Sequence, residues 1–213
     1  MPSHFIVLPG GGYRVHGRDG APAVAWLRSL GAEAELFEYP LHTRHPGPLR
    51  AIRDVVARAR AEGAERIVLV GFSAGGHAAG LAALAPGASA DERVDAVVLG
   101  YPVVSFQLVR AGVTRDTLIG EDASEHARAE TSLDHLVSPD SPPFFIWHTV
   151  EDGVIPVEHS YLLAESLLEV GVSHELHVFP HGGHGLGQAT GEPGVEAWPM
   201  LCAAWLRAGR HIP

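Results

Sequence analysis

Short runs of consecutive apolar residues alternate along this chain with stretches in which apolar positions recur every three or four residues. Phe5-Ile6-Val7-Leu8 reads as a buried strand, closed by the tight loop Pro9-Gly10-Gly11-Gly12. Val24, Leu27 and Leu30 then recur at helical spacing over 21–30, with Gly31 placed to end the helix. A strand over 33–39 stops before Pro40, and Leu49, Ile52, Val55 and Val56 give the apolar face of a second helix. Ile67-Val68-Leu69-Val70 is continuously apolar and rich in β-branched residues, as in a central parallel strand covered on both faces. The same alternation predicts a helix over 74–84, strands over 96–99 and 144–147, a helix over 157–170, a strand over 175–179 and a last helix over 195–207.

Strands separated by helices predict an α/β fold with a mostly parallel, doubly wound sheet, because parallel neighbours need crossovers that cover both faces. Chemistry in such a sheet gathers at the C-terminal ends of the strands. The stretch from about Ser105 to Pro143 breaks the rhythm with polar and acidic residues and the Pro142-Pro143 pair. It is expected to be an irregular excursion with one or two short helices, forming part of a lid. No repeat or second domain boundary is visible, so a single domain over 1–213 is expected, within the size one hydrophobic core serves.

Composition narrows the partners. With 46% hydrophobic and 19% charged residues the chain has the makings of a folded core. Its formal charge of −10 offers no polybasic footprint for nucleic acid or an anionic membrane surface. Every cationic residue is an arginine; 9 precede Ser73 against 7 acids, and 6 follow it against 18, so the acidity belongs to the C-terminal two-thirds. The single cysteine, Cys202, excludes an internal disulfide and a cysteine-based zinc cluster. No targeting segment or apolar run long enough to span a bilayer is visible, and the expectation is a soluble cytoplasmic protein.

The chemistry begins at Gly71-Phe72-Ser73-Ala74-Gly75-Gly76-His77, directly after the central strand. Gly-x-Ser-x-Gly in a strand-to-helix turn is the pattern of a nucleophile elbow, where side chains two residues either side of the serine would collide with neighbouring backbone. Glycine-rich turns also occur without chemistry, and it is the strand before and the helix after that favour a nucleophile at Ser73. The loop Gly10-Gly11-Gly12 can bring backbone N–H groups to a tetrahedral oxygen, and with the residue after the serine it makes an oxyanion hole of Gly11, Gly12 and Ala74. A phosphate-binding loop is the rival reading, weakened by the absence of any lysine.

A serine nucleophile needs a base, and there are 14 histidines. His184 lies in a loop directly beyond the last strand, where the order Ser, Asp, His puts it; His181 is the nearest competitor. Their H-x-x-H spacing lacks the helix and third ligand of a metal site, so no metal is expected. The acid belongs just past the preceding strand, where Asp152 stands, with Glu151 as the alternative. An N-cap or turn aspartate is the bland reading of Asp152.

These segments, together with Tyr101-Pro102-Val103-Val104-Ser105-Phe106, Pro142 to Thr149 and Glu175 to Gly187, resemble the small α/β-hydrolases grouped with acetyl-xylan and feruloyl esterases. The resemblance spans nearly the whole chain. It implies a carboxylesterase removing short acyl groups, typically acetyl, from plant-derived sugars, without a cofactor. Tyr13 and His77, at the ends of the two glycine motifs, are the substrate-binding candidates. One departure is that the strand before the glycine loop opens the chain, so the family's two leading strands are expected to be missing. The sheet edge this exposes would be covered in a homo-oligomer. The same machinery serves general esterases, peptidases or lactonases, and a ligand-binding scaffold without turnover is the reading outside enzymes. The partner expected is a small-molecule ester.

Overall fold

The computed structural model describes residues 3–108 and 112–213. Six strands form one sheet in the order β2-β1-β3-β4-β5-β6, every neighbouring pair parallel. They are β1 (Ser3–Leu8), β2 (Glu33–Leu36), β3 (Arg66–Phe72), β4 (Ala96–Gly100), β5 (Phe144–Thr149) and β6 (His174–Phe179). The helices are α1 (Gly20–Ser29), α2 (Gly47–Ala61), α3 (Ala74–Leu84), α4 (Gly112–Leu118), α5 (Glu125–Glu130), α6 (Leu133–Leu136), α7 (Glu158–Glu169) and α8 (Trp198–Ala208). None is long and apolar enough to cross a membrane.

The strict alternation of side chains along each strand divides the core in two. Phe5, Val7, Val68, Val70, Phe145 and Trp147 face α1 and α8, where Trp147 stacks on Trp198 at 4.9 Å between ring centroids. Ile6, Leu8, Ile67, Leu69, Phe144 and Ile146 face α2, α3 and α7. Both faces being covered is why the central strands read as unbroken apolar runs.

Three expectations need correction. The second strand ends at Leu36 instead of reaching Tyr39; after Phe37 N–H donates to Val7 O the chain leaves the sheet, and Tyr39 turns into the core to donate its hydroxyl to Pro9 O at 2.7 Å. The excursion holds three short helices, α4, α5 and α6, and its residues 109–111 lie outside the described ones. The final helix starts later, at Trp198, after a short 3-10 turn over Val195–Ala197.

The strand order reverses between β1 and its two neighbours, β2 and β3, so the loops leaving β1 and β3 diverge to open a crevice. Leu8 at the end of β1 is level with Gly71 near the end of β3, and that register sets the glycine loop beside the serine turn. The approach is close. A Cβ on Gly75 would lie 2.2 Å from Leu8 O, and one on Gly71 would lie 2.3 Å from Gly75 O. Gly75→Ala should therefore destabilise the fold by about 3 kcal/mol, lowering Tm by roughly 6–12 °C. Gly153→Ala, where a Cβ meets nothing within 4 Å, should leave Tm within about 2 °C, both read by thermal unfolding.

Candidate active site

Ser73 is the link between β3 and α3, and its backbone sits at φ 53° and ψ −119°, a conformation that costs a residue with a side chain about 1–3 kcal/mol. The surroundings hold it there: Ser73 N–H donates to Gly100 O at 2.9 Å, and Ser73 O accepts from the N–H groups of His77 and Val103. The turn brings Ser73 Oγ to the wall of a cavity of about 980 Å³.

Three residues distant in the chain meet at that wall. Ser73 Oγ lies 2.9 Å from His184 Nε2, and His184 Nδ1 lies 2.6 Å from Asp152 Oδ2. An ionised carboxylate only accepts, so Nδ1 carries the imidazole proton and Nε2 is left to accept from the serine hydroxyl. Glu151 and His181, the alternatives for acid and base, form a separate exposed pair instead, with His181 Nδ1 3.0 Å from Glu151 Oε1.

Asp152 is buried yet fully served by donors. Val154 N–H and Ile155 N–H each donate to Oδ1 at 2.9 Å, and His148 Nε2 approaches Oδ2 at 3.3 Å from behind. Burial pushes the carboxyl up, but hydrogen bonds from His148, His184 and Ile155 outweigh it and hold the group well below the usual carboxylate range. His148 itself is buried in β5. Its Nε2 also faces Ile155 O at 2.9 Å, so that nitrogen bears the proton and Nδ1 accepts from Ser160 Oγ at 2.8 Å.

The glycine loop lines the same cavity. Gly11 and Gly12 adopt φ values of 117° and 64°, and among the described residues their N–H groups and that of Ala74 donate to no protein acceptor. Donors in a helix first turn and a left-handed loop, unpaired beside a serine hydroxyl, are able to receive a negatively charged oxygen. Val113 and Thr114 of α4, Ile155 and Leu186 complete a mostly apolar wall. The excursion thus supplies part of the cavity at α4. Among the described residues no group of three or more His, Cys, Asp or Glu side chains gathers as a metal site.

Tyr13 and His77 are not where substrate-binding residues would be. Both are fully buried and absent from the cavity wall. His77 Nε2 donates to Thr131 O at 2.7 Å, its Nδ1 accepts from the Tyr13 hydroxyl at 2.9 Å, and its ring stacks on Phe106. They tie the glycine loop to α3 and the excursion from beneath, because the side chains that follow each glycine motif point into the core. Two residues at the site escaped the sequence reading. His148 was hidden in an apolar strand. Asp19 lines the cavity and accepts from Gly10 N–H at 3.0 Å, but in sequence an aspartate directly before a helix reads as a cap.

Comparison with known proteins gives the family. Residues 50–167 match the family model described as BD-FAE. The chain belongs to the BD-FAE family. Endo-1,4-beta-xylanase B of Butyrivibrio fibrisolvens is 32% identical over 88% of this chain and 33% of its own length. Esterase LipC of Mycobacterium tuberculosis is 28% identical over 85% of this chain and 52% of its own. The chain therefore spans a third to a half of these relatives. The crystal structure of an acetyl ester-xyloside bifunctional hydrolase from Caldicellulosiruptor lactoaceticus superposes with a TM-score of 0.93 and 34% identity, covering 100% of this chain and 85% of that one. This BD-FAE member has the α/β-hydrolase fold.

The buried imidazoles of this BD-FAE domain make its stability depend on pH. Burial lowers His77 to about 4 and His159 to about 3, so both are neutral in the fold and take up a proton on unfolding below the ordinary histidine value near 6.5. The unfolded chain then binds more protons, and stability falls with pH by roughly 1.4 kcal/mol per pH unit for each histidine. His45 and His211, also lowered by burial, act in the same sense. Asp152, held low, adds to the loss at still lower pH, whereas Asp19 and Asp134, raised by burial, return part of it as pH falls through their values. The thermal midpoint should decline steadily from about pH 6.5 to 4; a flat profile would contradict neutral buried imidazoles.

Proposed function

We propose that this protein is a serine carboxylesterase that hydrolyses short acyl esters, acetyl esters above all, of xylan-derived or other sugars. The observation that carries the reading is the hydrogen-bonded chain from Ser73 through His184 to Asp152, opening on a cavity walled by unpaired glycine N–H groups. Ser73 Oγ attacks the ester carbonyl while His184 Nε2 takes its proton. The charge that develops on the carbonyl oxygen is received by the N–H groups of Gly11, Gly12 and Ala74. Asp152 stabilises the imidazolium and keeps the ring in the tautomer that leaves Nε2 free. His184 then gives that proton to the departing sugar oxygen as its bond to the acyl carbon breaks. A water molecule, deprotonated by the same nitrogen, attacks the acyl-enzyme; that proton passes to Ser73 Oγ as the acyl–oxygen bond breaks, which releases the carboxylic acid and restores the Ser73 hydroxyl. No cofactor enters these steps.

The sugar is inferred from kinship: the relatives whose names mention xylan chemistry are a xylanase and an acetyl ester-xyloside hydrolase. Fold and residue constellation alone do not choose the alcohol.

Ser73→Ala should lower kcat on p-nitrophenyl acetate by at least about 10³-fold with an unchanged Tm, and Asp152→Asn should do so by misdirecting the imidazole. Wild-type activity in Ser73→Ala would overturn the reading. Acetate release from acetylated xylo-oligosaccharides, measured beside aminoacyl amides, separates the sugar esterase from a peptidase of the same fold.

A further inference from the structure

Asp19 occupies the N-cap of α1, where an aspartate ordinarily accepts from the first helical N–H groups, yet its side chain makes no capping hydrogen bond. It turns to the cavity. Oδ1 accepts from Gly10 N–H at 3.0 Å, and Oδ2 accepts from the Tyr101 hydroxyl at 3.3 Å. The Tyr101 hydroxyl in turn accepts from Gly187 N–H at 3.0 Å, and its ring meets the His184 ring edge-on at 5.0 Å between centroids. One carboxylate is thus bonded to the loop after β1 and, through one tyrosine, to the loop after β6. Ser73 is close by: a Cβ built on Gly10 would lie 3.0 Å from Asp19 Oδ2 and 3.2 Å from Ser73 Cβ.

The arrangement works against the fold's own stability. Burial raises the Asp19 carboxyl above its ordinary range, and the bonds from Gly10 and Tyr101 and the nearby His184 recover only part of that. Burial, then the charge of Asp19, pushes the Tyr101 phenol up, which keeps it protonated and able to donate. A carboxylate that resists ionisation, that gives up a capping bond worth about 1 kcal/mol and that spans two loops of the site is better explained by chemistry than by folding.

We propose that Asp19 is a positioning residue of the esterase: with Tyr101 it clamps the glycine loop to the histidine loop and so fixes the oxyanion donors relative to Ser73 and His184. The proposal rests on the esterase reading and deepens it. A displacement of about 1 Å between such groups costs on the order of 10² in rate, and little in ground-state binding.

Two variants and a cycle test it. Asp19→Asn keeps an acceptor for Gly10 N–H but presents an amide donor where Tyr101 donates, and should lower kcat on p-nitrophenyl acetate about tenfold; Asp19→Ala, which loses both bonds, should lower it about 100-fold. KM should stay within about threefold, and Tm of Asp19→Asn should equal or exceed that of the wild type. Tyr101→Phe should resemble Asp19→Asn, and the double variant should fall no more than about twofold below the lower single one, because both break the same clamp. The inference is overturned by kcat within about twofold of wild type in both Asp19 variants, by losses that merely follow a lowered Tm in Asp19→Asn, or by additive effects in the cycle. Labelling with a fluorophosphonate separates the two readings. If wild-type Ser73 does not react, the esterase proposal itself falls; if it reacts and the Asp19 variants react as fast, only the clamp falls.

Discussion

The first turn of α3 lies against the carbonyl ends of β1 with no space for a methyl group, and the rest of the site follows from that contact. Gly75 meets the Leu8 and Pro9 carbonyls where a Cβ would lie 2.2 and 2.4 Å from them. Because α3 comes in so close, Ser73 takes a left-handed turn to connect it to β3, and the same turn puts its hydroxyl beside the glycine loop that continues from Pro9. A helix set farther out would leave Ser73 relaxed, and would also separate the Ala74 N–H from Gly11 and Gly12. The strain at the serine, about 1–3 kcal/mol, is compensated by the burial of β3 from Ile67 to Phe72 and by three hydrogen bonds from and to its own backbone.

Beneath that contact the polar groups are paired in an order that fixes each tautomer. Thr131 O accepts a hydrogen bond from His77, so His77 accepts from Tyr13; Ile155 O and Asp152 accept from His148, so His148 accepts from Ser160; Asp152 accepts from His184, which leaves its other nitrogen for Ser73. Three imidazoles run the same logic, but only the third ends in a cavity. The first two are buried and their acceptors are all occupied, so they hold loops and the acid in place.

The parallel sheet and the three residues Ser73, Asp152 and His184 were legible in the sequence because each rests on local signals: apolar runs of strand length, glycines at a spacing with a steric cause, and a fixed order of loops after successive strands. What was illegible depended on side-chain direction. Tyr13 and His77 adjoin the motifs, and adjacency along a chain does not say whether a residue points to the cavity or to the core; a positive φ of 61° at Tyr13 turns it inward. His148 sits among apolar neighbours in β5, where nothing but the position of Asp152 four residues later distinguishes it from packing. The excursion resisted because its helices are short, from 4 to 7 residues, below the length at which periodicity can be read.

Besides the exposed Glu151, which pairs with His181, two carboxylates approach the His184 loop, and their different environments set them apart. Asp152 receives two backbone N–H groups on one oxygen and two imidazoles on the other, and these donors overcome burial and hold it ionised. Among the described residues Asp19 accepts from the Gly10 N–H and the Tyr101 phenol, and burial prevails. The number of donors, more than depth, decides which acid carries its charge comfortably, since an unscreened buried carboxylate without them favours its neutral form. The pairing has a direction: the acid with the full set of donors touches the imidazole directly, while the one with few reaches it only through Tyr101. An acid poorly stabilised in its ionised form would compete for the imidazole proton if it touched the ring, so in the proposed mechanism separation by a tyrosine lets Asp19 hold geometry without taking over the role of Asp152.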